Sequence, residues 1–132
     1  MAFGNSDVGA VHCMGETLGG LYDTPHGVAC AVFLPGVFDF NRSASPERHA
    51  DVARALGIPA GGDDCDAEVG VAEIRRLMAA VGIPRFRDLP GVTPDDFPAL
   101  AKDSAAHVCS PDNAREITEA DYLALFRSAY EA

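Results

Sequence analysis

The chain is poor in positive charge. Its 132 residues include 10 Lys and Arg against 20 Asp and Glu, so the formal net charge is −10 and the pI is near 4.6. Nucleic-acid binding needs a basic surface that neutralises phosphates, and anionic membrane surfaces attract basic segments. The charge balance therefore argues against both kinds of partner, and we interpret the acidic excess as a solvated surface rather than a binding site.

Long hydrophobic runs are also missing. The most apolar stretch, residues 28–37, is far shorter than the ~18–20 residues of a membrane-spanning helix. The first residues lack the basic segment followed by an apolar one that marks a secretory signal. Hydrophobic residues nevertheless make up 48% of the chain, which is enough for a core at this length. We therefore expect one domain spanning residues 1–132, with no membrane partner.

The cysteines are few and scattered. Cys13, Cys30, Cys65 and Cys109 form no CxxC pair, so the sequence gives no support for a zinc knuckle. We interpret all four as reduced thiols that serve as small apolar residues, which is typical of a cytoplasmic protein.

Strand patterns are nearly absent as well. Apolar residues recur at a spacing of three to four rather than two, which predicts an all-α fold. Proline, glycine and capping residues delimit about six helices. Pro35 is expected to kink or divide the second of them. The predicted helices cover residues 5–22, 25–40, 45–56, 65–81 and 93–107, and a last helix begins at Thr118.

What the chain does contain is a Gly-rich run with two histidines, His12 and His26, 14 residues apart. Imidazole is the commonest side-chain ligand of divalent transition metals. A helix–turn–helix hairpin would bring the two rings to one site. Two ligands are too few for a complete metal site, so the spacing predicts part of one. The alternative is that both rings cap helices or hydrogen-bond within a helical core.

Glu16 lies four residues after His12 and therefore shares its helix face. The carboxylate has three interpretations: a metal ligand, a proton acceptor, or a residue that faces water. Gly15 and Gly19 flank it on the same helix and permit close approach of a packed neighbour or a ligand. The other two histidines are interpreted without a chemical role, His49 as a surface residue and His107 as a dipole partner at a helix C-terminus.

The run from Val11 to Pro35, which includes Pro25-His26-Gly27, closely resembles the signature of iron-containing (group III) alcohol dehydrogenases. The resemblance covers essentially the whole chain and implies the helical C-terminal domain of that family, a dehydroquinate synthase-like fold. Further matching segments are Phe40-Asn41, Glu47 to Ala50, Ala53 to Gly57, Gly82 to Pro84, Leu89 to Asp96 and, in altered form, Asn113-Ala114-Arg115.

The resemblance implies that His12 and His26 are metal ligands for Fe²⁺ (or Zn²⁺). In the family the metal acts as a Lewis acid on an alcohol or aldehyde oxygen, while NAD(P) carries the hydride. Two differences stand out. The family has a histidine where this chain has Glu16, so the role of Glu16 is open. The chain also shows no βαβ pattern and no Gly-rich nucleotide loop.

We therefore expect a metal-site half whose partner is a complementing dinucleotide-binding domain, with no turnover by the chain alone. An uncovered cleft wall should also favour self-association or homo-oligomers. A maleylacetate reductase-like half remains an alternative within the enzyme class. A non-enzymatic helical interaction module, or a genetic remnant, is the alternative outside it.

Overall fold

The computed structural model describes residues 8–58 and 61–132, except for the side chains of residues 63–65. Within these ranges the chain forms six α-helices and no β-strand, which confirms the all-α prediction. The start of the first predicted helix, at residue 5, lies outside the described residues. No helix in the described part is long and apolar enough to cross a membrane. The helices are α1 (Ala10–Tyr22), α2 (His26–Asn41), α3 (Pro46–Ala55), α4 (Asp63–Ala80), α5 (Phe97–Ala106) and α6 (Glu119–Glu131).

Helix α2 is the centre of the domain and packs against α1, α4 and α6. Helix α5 joins α1 to α6 on one side, and α3 packs on α4 on the other. Of the two outcomes predicted for Pro35, a kink or a division of the second helix, the division does not occur, since α2 continues through it. Pro35 is buried together with Val32, Phe33 and Val37, and this burial offsets the roughly 3 kcal/mol that an internal proline costs.

Aromatic rings fill the core beside α2. The ring centroid of Phe33 lies 5.0 Å from that of Phe86 and 5.1 Å from that of Phe126, in edge-to-face contacts. Phe97 stacks on Phe86 at 5.5 Å. Such pairs contribute about 0.5–1.5 kcal/mol each beyond the area they bury. Phe86, in the connector between α4 and α5, and Phe126, in α6, are both buried.

Asn113 fixes the start of α1 and the end of α2. Its Oδ1 accepts hydrogen bonds from the Ala10 backbone N–H at 3.3 Å and from Asn41 Nδ2 at 3.0 Å, and its own Nδ2 donates to Asn41 Oδ1 at 2.8 Å. The Arg115 guanidinium lies 4.1 Å from the centroid of the Phe40 ring. The loop that contains both residues therefore holds the α1–α2 hairpin at its open end.

The helix starts differ in detail from the predicted ones. Thr93 precedes a 3-10 turn, Pro94–Asp96, and α5 begins only at Phe97. A full capping box lies at the start of α6, where the Thr118 side chain accepts from the Asp121 N–H and the Asp121 side chain accepts from the Thr118 N–H. The prediction that Thr118 caps the last helix is confirmed.

His49 is buried, so its assignment to the surface is wrong. Its ring centroid lies 4.4 Å from that of Phe38 in α2, and its Nδ1 donates to the Ser45 carbonyl at 2.7 Å. Helix α3 is polar in sequence, but His49, Ala50 and Ala53 form a buried face. His49 is buried because Phe38, on a different helix, packs against its ring. The sequence of α3 alone does not indicate this contact.

Candidate metal centre

A tight turn brings the two histidine-bearing helices together. Asp23 ends α1 in the left-handed conformation, with φ at 53°, and its N–H donates to the Gly19 carbonyl at 3.0 Å. A short polar residue such as Asp tolerates this conformation better than most. Because the chain reverses within three residues, α2 begins at His26. The sequence thus places His12 and His26 on neighbouring antiparallel helices.

The structure brings His12 and His26 together and adds Cys30. The imidazole centroids of the two histidines are 5.4 Å apart, and Cys30 Sγ lies 3.6 Å from His26 Nε2. One ligand atom from each of the three residues lies within 4.8 Å of the other two. His26 is exposed, whereas His12 and Cys30 are partly buried. Within the described part of the chain, this is the one group of three or more His, Cys, Asp or Glu side chains arranged to hold an ion.

Gly15 makes this arrangement possible. A Cβ atom at Gly15 would lie 2.8 Å from Cys30 Sγ, which is closer than real Cβ contacts allow, and 3.2 Å from the Cys30 backbone N, which is tighter than most. The absence of a side chain therefore lets α2 approach α1 at the level of the thiol. The predicted close approach at Gly15 is thus made by a packed neighbour, α2.

We expect Gly15→Ala to destabilise the fold by about 1–3 kcal/mol, because the extra methyl group overpacks the α1–α2 contact. Gly20→Ala is the matched control in the same helix, since a Cβ there meets nothing within 4 Å. This control should instead stabilise the protein by about 0.5–1 kcal/mol through helix propensity. Urea unfolding of both variants measures the difference. Equal effects at the two positions would mean that the close approach is not needed.

Glu16 lies beside this cluster but outside it. Its Oε2 is 2.9 Å from His107 Nε2, and its side chain is 47% exposed. His107 Nδ1 accepts the Cys109 backbone N–H at 3.2 Å, so the ring proton sits on Nε2 and is donated to Glu16. His107 does lie at the C-terminal end of α5. The sequence did not indicate that its ring also binds Glu16 across two helices.

Sequence reasoning missed Cys30 because it considered the cysteines only as pairs. The usable signal was the spacing, since Cys30 is one helical turn after His26 and therefore on the same face. Burial raises the pKa of the Cys30 thiol, and the charge of Glu16 raises it further. Cys13 and Cys109 are buried, as expected for apolar roles, whereas the side chain of Cys65 lies outside the described part.

The donor set suits the metals that the sequence implied. Imidazole nitrogens bind Fe²⁺ and Zn²⁺, and a thiolate favours Zn²⁺. Catalytic zinc sites take three protein donors and keep one position open for water or substrate. Two imidazoles and one thiol near the surface of the domain, with His26 exposed, are donors of the kind that such sites use. The residues present therefore fit a divalent metal.

Comparison with known proteins identifies the family. The profile of the C-terminal part of the Fe-containing alcohol dehydrogenase family matches residues 1–130. The chain belongs to the iron-containing alcohol dehydrogenase family. Its described part has the helical fold of that family's C-terminal domain, and a crystal structure of a 1,3-propanediol oxidoreductase superposes with a TM-score of 0.93 at 43% identity, over 97% of this chain and 34% of that one.

Two curated relatives place this domain within the family. The chain is 44% identical to the 1,3-propanediol dehydrogenase of Klebsiella pneumoniae, over 98% of its own length and 34% of the relative. It is 38% identical to the lactaldehyde reductase of Escherichia coli, over 98% of its own length and 35% of the relative. The chain thus spans about a third of the length of these curated relatives.

Proposed function

We propose that this domain supplies His12 and His26 to the metal centre of an NAD(P)-dependent alcohol dehydrogenase. The observation that carries the proposal is the convergence of the two imidazoles, 5.4 Å apart, on a hairpin that belongs to this family. The substrate would be a primary or secondary alcohol, or the matching aldehyde. The names of the relatives, a propanediol dehydrogenase and a lactaldehyde reductase, support small oxygenated substrates.

When bound, Fe²⁺ (or Zn²⁺) supplies Lewis-acid polarisation of a substrate oxygen. This chain would hold the metal and orient the side chains around it. The turn at Asp23 and the Asn113 contacts fix α1 and α2, so His12 and His26 are presented without further ordering. Glu16, at the edge of the site, is our candidate for the proton acceptor, and His107 orients its carboxylate through the 2.9 Å hydrogen bond. Prepositioning of this kind is how proteins lower reaction barriers.

We further propose that the nicotinamide cofactor and the remaining metal ligands come from a complementing dinucleotide-binding domain. The sequence of this chain shows no Gly-rich phosphate loop that would bind the cofactor. Its metal donors are at the surface, with His26 exposed, so a second domain has access to the same site. Exposed apolar residues such as Val81 and Val108, which are 73% and 83% exposed, are candidates for contacts with that domain or with a second copy.

Domain exchange tests the proposal. This chain would replace the matching third of the Klebsiella pneumoniae 1,3-propanediol dehydrogenase, to which it is 44% identical. We expect the chimera to reduce the nicotinamide cofactor with 1,3-propanediol when loaded with Fe²⁺ or Zn²⁺. The chain alone, with the same metals and cofactor, should give no turnover because its sequence shows no Gly-rich loop that would bind the nucleotide.

Two outcomes would contradict the proposal. Turnover by the pure chain would show that no complementing domain is needed. A chimera that folds and takes up metal but never oxidises alcohol would instead favour a non-enzymatic helical module. Absorbance of the reduced nicotinamide measures turnover, and circular dichroism and metal analysis establish folding and loading.

A further inference from the structure

The distance between Cys30 and His26 is what tetrahedral coordination requires. Typical Zn–S and Zn–N bonds of about 2.3 and 2.05 Å, at a tetrahedral angle, place the two donor atoms about 3.5 Å apart. The Cys30 Sγ to His26 Nε2 distance is 3.6 Å. A thiol–imidazole hydrogen bond has the same length, so the distance alone does not separate the two. A third candidate donor supports a site, since the ligand atom of His12 lies within 4.8 Å of both.

The backbone is also built around this thiol. Cys30 faces α1 at Gly15, where any side chain would collide with Sγ. The thiol is partly buried, and on one side it faces the exposed His26. A thiol that served only as a small apolar residue would not need two imidazoles beside it. The packing against Gly15 therefore fixes the position of the sulfur, and the side that faces His26 leaves it accessible to an ion.

We propose that Cys30 is a third metal donor, so that this chain alone presents two imidazoles and one thiolate to a divalent ion. The inference rests on the proposed function for the location of the site and adds to it a ligand and a preference. As the metal–sulfur bond forms, the S–H bond is lost and its proton leaves to water. Because thiolate is a soft ligand, Cys30 shifts the preference of the site from Fe²⁺ toward Zn²⁺.

Cobalt reports on this ligand directly, because Co²⁺ occupies zinc sites and a bound thiolate gives it a near-ultraviolet charge-transfer band. We expect the isolated chain to develop this band on titration with Co²⁺ under reducing conditions, and Zn²⁺ to displace it. Cys30→Ser should lose the band and bind Zn²⁺ at least about tenfold more weakly, since removal of even a supporting partner costs about 10–100-fold. Cys109→Ser, which removes a thiol outside the cluster, should keep both.

The outcomes separate this inference from the proposed function. If Co²⁺ binds through histidine without the band, or if Cys30→Ser binds Zn²⁺ like the unchanged chain, then Cys30 is not a ligand. Failure of the folded chain to bind Co²⁺ or Zn²⁺ would equally overturn the three-donor set. Neither result touches the proposed function, which depends on His12 and His26 in the chimera. Circular dichroism of each variant confirms that a lost band does not reflect a lost fold.

Discussion

His26→Ala and His12→Ala are each expected to abolish metal retention in the chimeric dehydrogenase and to lower its kcat/KM at least about a hundredfold. Loss of an outer partner of a metal ligand already costs about 10–100-fold, and removal of a ligand costs more. The two rings lie 5.4 Å apart, so one shared ion is within reach of both. Metal per folded chain, measured by atomic emission, is the primary readout, and turnover is the second.

His49 provides the matched control for these variants. Its imidazole packs on Phe38 and donates to the Ser45 carbonyl, and it does not belong to the donor cluster. His49→Gln should therefore reduce stability but leave the metal content of the folded protein unchanged. Full metal content in both His12→Ala and His26→Ala would show that neither histidine is a ligand.

The sequence predicted the part of the site whose residues lie close together along the chain. His12 and His26 are 14 residues apart in the sequence, and the proline and glycine signals between them predicted a hairpin. Cys30 lies four residues after His26, one helical turn away, but it is not part of a CxxC pair and so did not stand out as a metal ligand. The contact between Glu16 and His107 joins residues 91 positions apart. No periodicity within either helix encodes such a contact, so it needed the tertiary structure.

The fold shows the same division. Capping and stripe patterns predicted the six helices, because these signals depend on residues within one or two turns. Pro35 does not divide α2, and His49 is buried rather than exposed, because other helices set the environment of both residues. The buried side of α2 keeps a proline that would divide an isolated helix, and Phe38 covers a histidine on a helix with polar composition. Burial of a polar or strained residue is thus decided by partners that the local sequence does not reveal.

Glu16→Gln in the chimera is expected to lower kcat by about 10²–10⁴-fold, the usual contribution of a general acid–base group. Gln keeps the size and the hydrogen bond to His107 but does not accept a proton. KM for the alcohol should change little. The metal content should also stay the same, because the Glu16 carboxylate lies outside the donor cluster and binds His107 instead.

Glu16→His separates the chemical role of Glu16 from a structural one. The resemblance to the family places a histidine at this position, so an imidazole there should restore most of the activity that glutamine removes. Activity of Glu16→Gln equal to that of the unchanged chimera would exclude proton transfer by Glu16. Loss of metal from Glu16→Gln would assign Glu16 as a metal ligand, the first of the three roles that the sequence left open. Because glutamine preserves the contact that joins α1 to α5, a fall in kcat at unchanged stability and metal content leaves proton transfer as the function that was lost.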